Sequence, residues 1–254
     1  MFVHFFVPII LSLTRLQFTM KFTGGDTIVT FGKLWYLQKA HASRYITAAA
    51  NGESSNLDVM TGLITQVLEK EGLIEGLHSI SGQEGVKTYI FKLLDADGRN
   101  YTNAREFVKR NKYFFQAPGR ISLVDSKPSF VLEMLPKEII SSIQPEDVIS
   151  TLSFLKRIPI EAWTAGMIRE CMVAETASKA NEILLRSDCA HLNTEKAIKE
   201  LSMEWRKLTY KWIRWSITAG KEGPDSARSM EILGRKESLS RIETAGKVLA
   251  GLQI

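Results

Sequence analysis

The sequence predicts a mainly α-helical protein of two lobes, with a small β element in the N-terminal half. Three observations carry that expectation. Beyond Pro136 the apolar residues recur almost without interruption at three- and four-residue steps, the period of an amphipathic helix. Proline and glycine punctuate this region where helices start and stop. In the first half, two short runs rich in β-branched and aromatic residues, 27–37 and 86–94, read instead as strands.

The elements follow in chain order. Gly24-Gly25 is a turn signal before the first expected strand, TIVTFGKLWYL, in which a helix could take over near Leu34. Asn56 is a fitting N-cap for a helix in which Leu57, Met60, Leu63, Ile64, Val67 and Leu68 share a face. VKTYIFKLL is the second expected strand, closed by the Asp97-Gly98 turn. A helix is expected from Thr102 or Asn103 to Phe115, broken by Ala117-Pro118-Gly119. Pro145 and Pro159 open helices, the first with Glu146 and Asp147 placed against the positive end of its dipole. Asn193-Thr194 caps a long helix running to Gly220. Gly223-Pro224-Asp225 turns the chain into a last helix carrying Met230, Leu233, Leu239, Ile242 and Val248. The expected organisation is an apolar arm or extension over 1–20, an N-terminal lobe over 21–135 and a C-terminal helical lobe over 136–254.

Composition bounds the class. At 254 residues, with 44% hydrophobic and 24% charged residues, the chain can bury a sizeable core and is not of disordered composition. A net charge of +5 leans toward polyanionic partners. Two cysteines, Cys171 and Cys189, point to a reducing, cytoplasmic setting rather than a disulfide-stapled secreted domain. The apolar start, FVHFFVPIILSL, is shorter than the roughly 18 residues of a membrane helix and is interrupted by Pro8. It reads as an arm that docks on the body or on a neighbouring copy, or as an extension ahead of Met20.

Motifs for chemistry are sparse. Asp95, Asp97 and Glu106 stand at the first, third and twelfth places of a calcium loop, but Arg99 and Asn100 occupy the fifth and sixth, where an oxygen ligand and a glycine are needed. A plain Asp-Gly turn accounts for them better. Cys171, Cys189 and His191 lack the paired spacing of structural zinc. No nucleophile elbow, phosphate-binding glycine loop or His-Glu-x-x-His motif is present. The expectation is therefore no enzyme, no cofactor and no metal.

Two basic runs stand out. Arg99, Arg105, Lys109, Arg110, Lys112 and Arg120 interleave with Tyr101, Phe107, Tyr113, Phe114 and Phe115. On a helix, Arg105, Lys109 and Lys112 share one face, while Phe107 and Phe114 fall on another. The second run, WRKLTYKWIRW, holds Arg206, Lys207, Lys211 and Arg214 beside a stripe of Trp205, Leu208, Trp212 and Trp215. Lysine and arginine neutralise phosphates and rings can stack on unpaired bases. The plainer alternative is a solvated basic face with core aromatics, and core packing is the better reading of the tryptophan stripe.

In size, charge and helix content the chain is similar to the basic, helix-rich nucleoproteins of segmented negative-strand RNA viruses. That resemblance implies single-stranded RNA binding, self-assembly through a terminal arm and no catalysis. Arg99, Arg105, Lys109, Arg110, Lys112, Arg120, Arg206, Lys207, Lys211 and Arg214 would then contact phosphates, with Tyr113 and Phe114 stacking on bases. A matrix-like protein docking on an acidic membrane or on a partner is the alternative reading.

Overall fold

The computed structural model describes residues 31–51, 55–81, 85–116, 145–186 and 195–251. The chain divides into two units, Met1–Leu37 and Gln38–Ile254. The described part of the first unit is the opening of helix α1, Phe31–Ala50. The second unit continues with α2 (Ser55–Lys70), α3 (Ile74–Ser81), α4 (Val86–Asp97), α5 (Ala104–Arg110) and α6 (Lys112–Phe115). After residue 144 come α7 (Pro145–Leu152), short 3-10 turns at Ser153–Arg157 and Ile160–Ala162, α8 (Ala165–Arg186), α9 (Glu195–Thr218) and α10 (Ser226–Gly251).

Among the described residues there is no strand, which corrects the expected β element. The run Val86–Leu94 is helical: Tyr89, Ile90, Leu93, Leu94 and Asp97 are its buried positions, three or four residues apart. A short mixed run fits both periods, and packing against α2, α3 and α10 selects the helix. Asp97-Gly98 thus ends a helix instead of closing a hairpin. The other expected strand enters α1 from Phe31 onward, while its first residues, the arm over 1–20, the boundary near 135 and Cys189 lie outside the described residues.

Two apolar clusters hold the described part of the second unit. The larger joins Ile64, Leu68, Leu77, Ile90, Leu93, Phe107, Phe114, Phe115, Phe154, Leu155, Ile168, Ile213 and Met230. The smaller forms where α8, α9 and α10 cross, around Trp205, Trp212, Trp215, Ile183, Leu184 and Ala245. Burying one such aromatic side chain is worth about 2–3 kcal/mol. The tryptophan stripe is therefore core. Trp205 donates from Nε1 to Thr151 Oγ1 on α7 at 3.0 Å, and Trp212 meets Trp215 edge-on at 5.3 Å.

Hydroxyl groups on the buried face of α9 are satisfied locally. Thr209, Ser216 and Thr218 each donate to the carbonyl four residues earlier on α9. Gly234, at φ 75°, kinks α10. The Met230 carbonyl just before that kink accepts from Trp163 Nε1 at 2.9 Å and from Ser238 Oγ at 3.1 Å. Arg235 reaches from beyond the kink to the carbonyls of Ile158 and Lys156.

Candidate functional site

The first basic run folds as a short helix bounded by two asparagines. Asn103 caps α5, its side-chain oxygen accepting from the Glu106 amide at 2.9 Å. Asn111 leaves helical geometry at φ −101°, so α6 begins as a separate turn. The faces divide as the helical spacing requires. Arg105, Lys109 and Lys112 are exposed, whereas Phe107, Val108, Tyr113, Phe114 and Phe115 are buried. Arg99, in the 3-10 turn after α4, is exposed too. Among the described residues none of these four cations forms an ion pair, and the one acidic neighbour on α5 is the exposed Glu106.

Arg110 behaves differently. Its Nε donates to Asp97 Oδ2 at 3.0 Å and its Nη1 to Glu222 Oε2 at 2.7 Å. Burial opposes its charge, but the two carboxylates outweigh burial and raise its pKa. Asp97 is almost fully enclosed and also accepts from Asn100 Nδ2 at 2.8 Å and Asn111 Nδ2 at 3.0 Å. The buried carboxylate thus anchors the end of α4 to the 3-10 turn that follows it and to the C-terminal end of α5. Asn111 Oδ1 is buried without a hydrogen-bond partner among the described residues.

The turn after α9 docks on this anchor. Tyr113 Oη donates to the Glu222 carbonyl at 2.9 Å, and burial pushes its phenol well above the usual tyrosine range. It remains a donor at any ordinary pH. Arg214 folds back on the same turn, donating to the carbonyls of Lys221, Gly223 and Pro224 at 3.0, 3.2 and 3.2 Å. Arg241, buried on α10, donates to the carbonyls of Tyr113 and Ile217 at 2.8 and 2.9 Å and to Gln116 at 3.2 Å. Its Nε meets Glu237 Oε1 at 2.5 Å. Motif reading missed Glu222 and Arg241, and placed Asp97 only in an incomplete calcium pattern and a turn. A signal for Arg241 existed: it lies on the same helical stripe as the buried Ser238 and Ala245.

The structure thus sorts the candidate residues. Arg99, Arg105, Lys109 and Lys112 are exposed and without an ion pair among the described residues, and Lys211 is exposed on α9. Lys207 pairs with Glu204 at 2.6 Å, and Arg214 holds the turn. Arg206 is half-buried, its Nε enclosed without a partner among the described residues. Arg120 lies outside the described residues. The two basic runs do meet, at Arg110 and the 219–225 turn, but through bonds internal to the fold.

Base stacking by Tyr113 and Phe114 is not available: at 2% and 0% exposure both rings are core, and Tyr89 Oη donates to the Phe114 carbonyl. No group of three or more His, Cys, Asp or Glu side chains among the described residues could hold a metal. Asp95, the first place of the incomplete calcium pattern, is held by Arg228 Nη2 at 2.6 Å. No helix among the described residues is long and apolar enough to cross a membrane.

No family model matches the chain, and no curated protein does. A comparison with solved structures finds a glutamate tRNA ligase from Elizabethkingia meningosepticum, crystallised with its amino acid, at 17% identity and a TM-score of 0.47. The match covers 82% of this chain and 31% of the ligase. The expectation of a non-catalytic, self-assembling protein like a viral nucleocapsid, with a matrix-like role as its alternative, is corrected accordingly. No family model or curated protein of that kind matches, and the rings meant to stack on bases are enclosed.

Proposed function

We propose that the second unit binds RNA by its phosphate backbone, through the exposed cations of the 98–112 segment. The observation that supports this reading is the set Arg99, Arg105, Lys109 and Lys112, all exposed and none ion-paired among the described residues. Arg105 and Lys109 lie one turn apart on α5, and Lys112 follows on α6. The helices beneath are fixed by the Asp97 anchor and the aromatic core, so the charges sit on a rigid base. A phosphate chain gains from such an array by releasing its counterions.

Since the aromatic side chains of the segment are enclosed, recognition rests on charge alone. Backbone-directed binding carries little sequence information and does not require unpaired bases. Duplex and single-stranded RNA of equal phosphate count are expected to bind comparably.

The test is Arg105→Gln, Lys109→Gln and Lys112→Gln combined in the full chain, with fluorescence anisotropy on an RNA duplex over a range of salt. Each lost contact lowers the slope of log affinity against log salt by about 0.7–0.9, so three lower it by about 2–3. Unchanged affinity and slope in the triple variant would defeat the reading. Binding to anionic vesicles without binding to RNA would defeat it equally.

A further inference from the structure

We infer that Glu222 is a built-in phosphate mimic that shields Arg110, and that a bound RNA phosphate takes its place. The inference rests on the proposed RNA-binding reading and adds a fifth, normally masked cation to that surface. Arg110 follows Lys109 directly on α5 and presents two different sides to two carboxylates. On the Nε side it meets Asp97, whose side chain is 2% exposed and held by Asn100 and Asn111 as well. On the Nη1 side it meets Glu222, whose side chain is 84% exposed.

These two bonds differ in lability. The Asp97 bond is enclosed, and removing it would strand a buried carboxylate. The Glu222 bond ends in water, where a single ion pair contributes little and is readily exchanged. The guanidinium is therefore oriented from behind while its outer edge carries an exchangeable anion. A phosphate oxygen offers the same charge-assisted geometry as the carboxylate it would displace.

Exchange leaves the turn in place. The Glu222 backbone carbonyl stays bonded to Tyr113 Oη, and the neighbouring carbonyls of Lys221, Gly223 and Pro224 stay bonded to Arg214. Only the Glu222 side chain has to swing away, and most of its surface is already in water. The carboxylate competes with RNA for Arg110 and lowers affinity without any rearrangement of the fold.

The experiment is Glu222→Gln in the full chain, measured with the RNA duplex over a range of salt. Glu161→Gln serves as the control: it removes one negative charge at an exposed residue with no ion pair among the described residues. The expected result is affinity several-fold tighter than wild type, with the salt slope steeper by about 0.7–0.9 because one more cation neutralises a phosphate. Glu161→Gln leaves the slope unchanged. Affinity that is unaltered or weaker in Glu222→Gln overturns the inference. So does tightening with an unchanged slope, which reports only the general loss of a negative charge. If wild type binds RNA and the triple variant weakens it while Glu222→Gln does nothing, the shielding role alone fails. If wild type does not bind RNA, both readings fall together.

Discussion

Arg241 offers the sharpest test of how the helices are held together. Replacing it by methionine keeps the aliphatic length but removes donors to three main-chain carbonyls and to Glu237. Hydrogen bonds to a charged group are worth about 1.5–3 kcal/mol each, so a plain sum would exceed 6 kcal/mol. Water reaching the vacated space recovers part of that. The Glu237 side chain is 11% exposed, so its charge is only partly rehydrated. Removing one partner of a buried charge pair typically costs about 3–5 kcal/mol, and about 4 kcal/mol is expected here. That approaches the whole stability of many domains, about 5–15 kcal/mol, so Arg241→Lys is the more informative variant. Lysine preserves the charge facing Glu237, but a single ammonium cannot also span the carbonyls of Tyr113, Ile217 and Gln116. A loss of about 2 kcal/mol is expected for it, read as a lower midpoint in urea at an unchanged slope. A loss under about 0.5 kcal/mol for lysine and under about 1 kcal/mol for methionine would refute the claim that Arg241 ties α6, α9 and α10 together.

Two further perturbations probe the same region. At Gly223 an added Cβ would lie 1.7 Å from Tyr113 Oη, so Gly223→Ala must displace the phenol from the Glu222 carbonyl. A loss of about 1–3 kcal/mol is expected in thermal melts, and a smaller loss in a Tyr113→Phe background, since the two sites share one contact; equal losses would contradict the close approach. Burial raises the Tyr101 pKa to about 12, above its ordinary value of 10.0. The folded state therefore holds this proton where the unfolded chain releases it, and stability is fully present below pH 10 and declines as pH rises toward about 12. The slope reaches at most about 1.4 kcal/mol per pH unit for this group. Tyr101→Phe is expected to flatten that decline in urea melts taken at successive pH values, and an identical decline in the variant would count against it.

The helical class, the helix start at Pro145, the stop near Gly220, a helix beginning near Asn103 and the inward tryptophan stripe of α9 were legible in the sequence. Each depends on contacts within a few residues, which helical period and capping chemistry report directly. The division of α5 into a wet basic face and an enclosed aromatic face was legible for the same reason. The strand expected at 86–94 failed because a nine-residue apolar run fits two periods, and its neighbours decide between them.

What the amino-acid order could not express is which cations are free. Arg99, Arg105, Lys109 and Lys112 remain at the surface, while Arg110 is claimed by Asp97 and Glu222, Arg214 by the turn after α9, and Arg241 by three carbonyls from two separate segments. The partners of Arg110 and Arg241 include groups more than a hundred residues away, so no local pattern carries them. Periodicity thus determines which face of a helix turns inward. Only the packed structure decides whether a charge on the other face meets solvent or a distant carboxylate, because that depends on chain separations closed by folding.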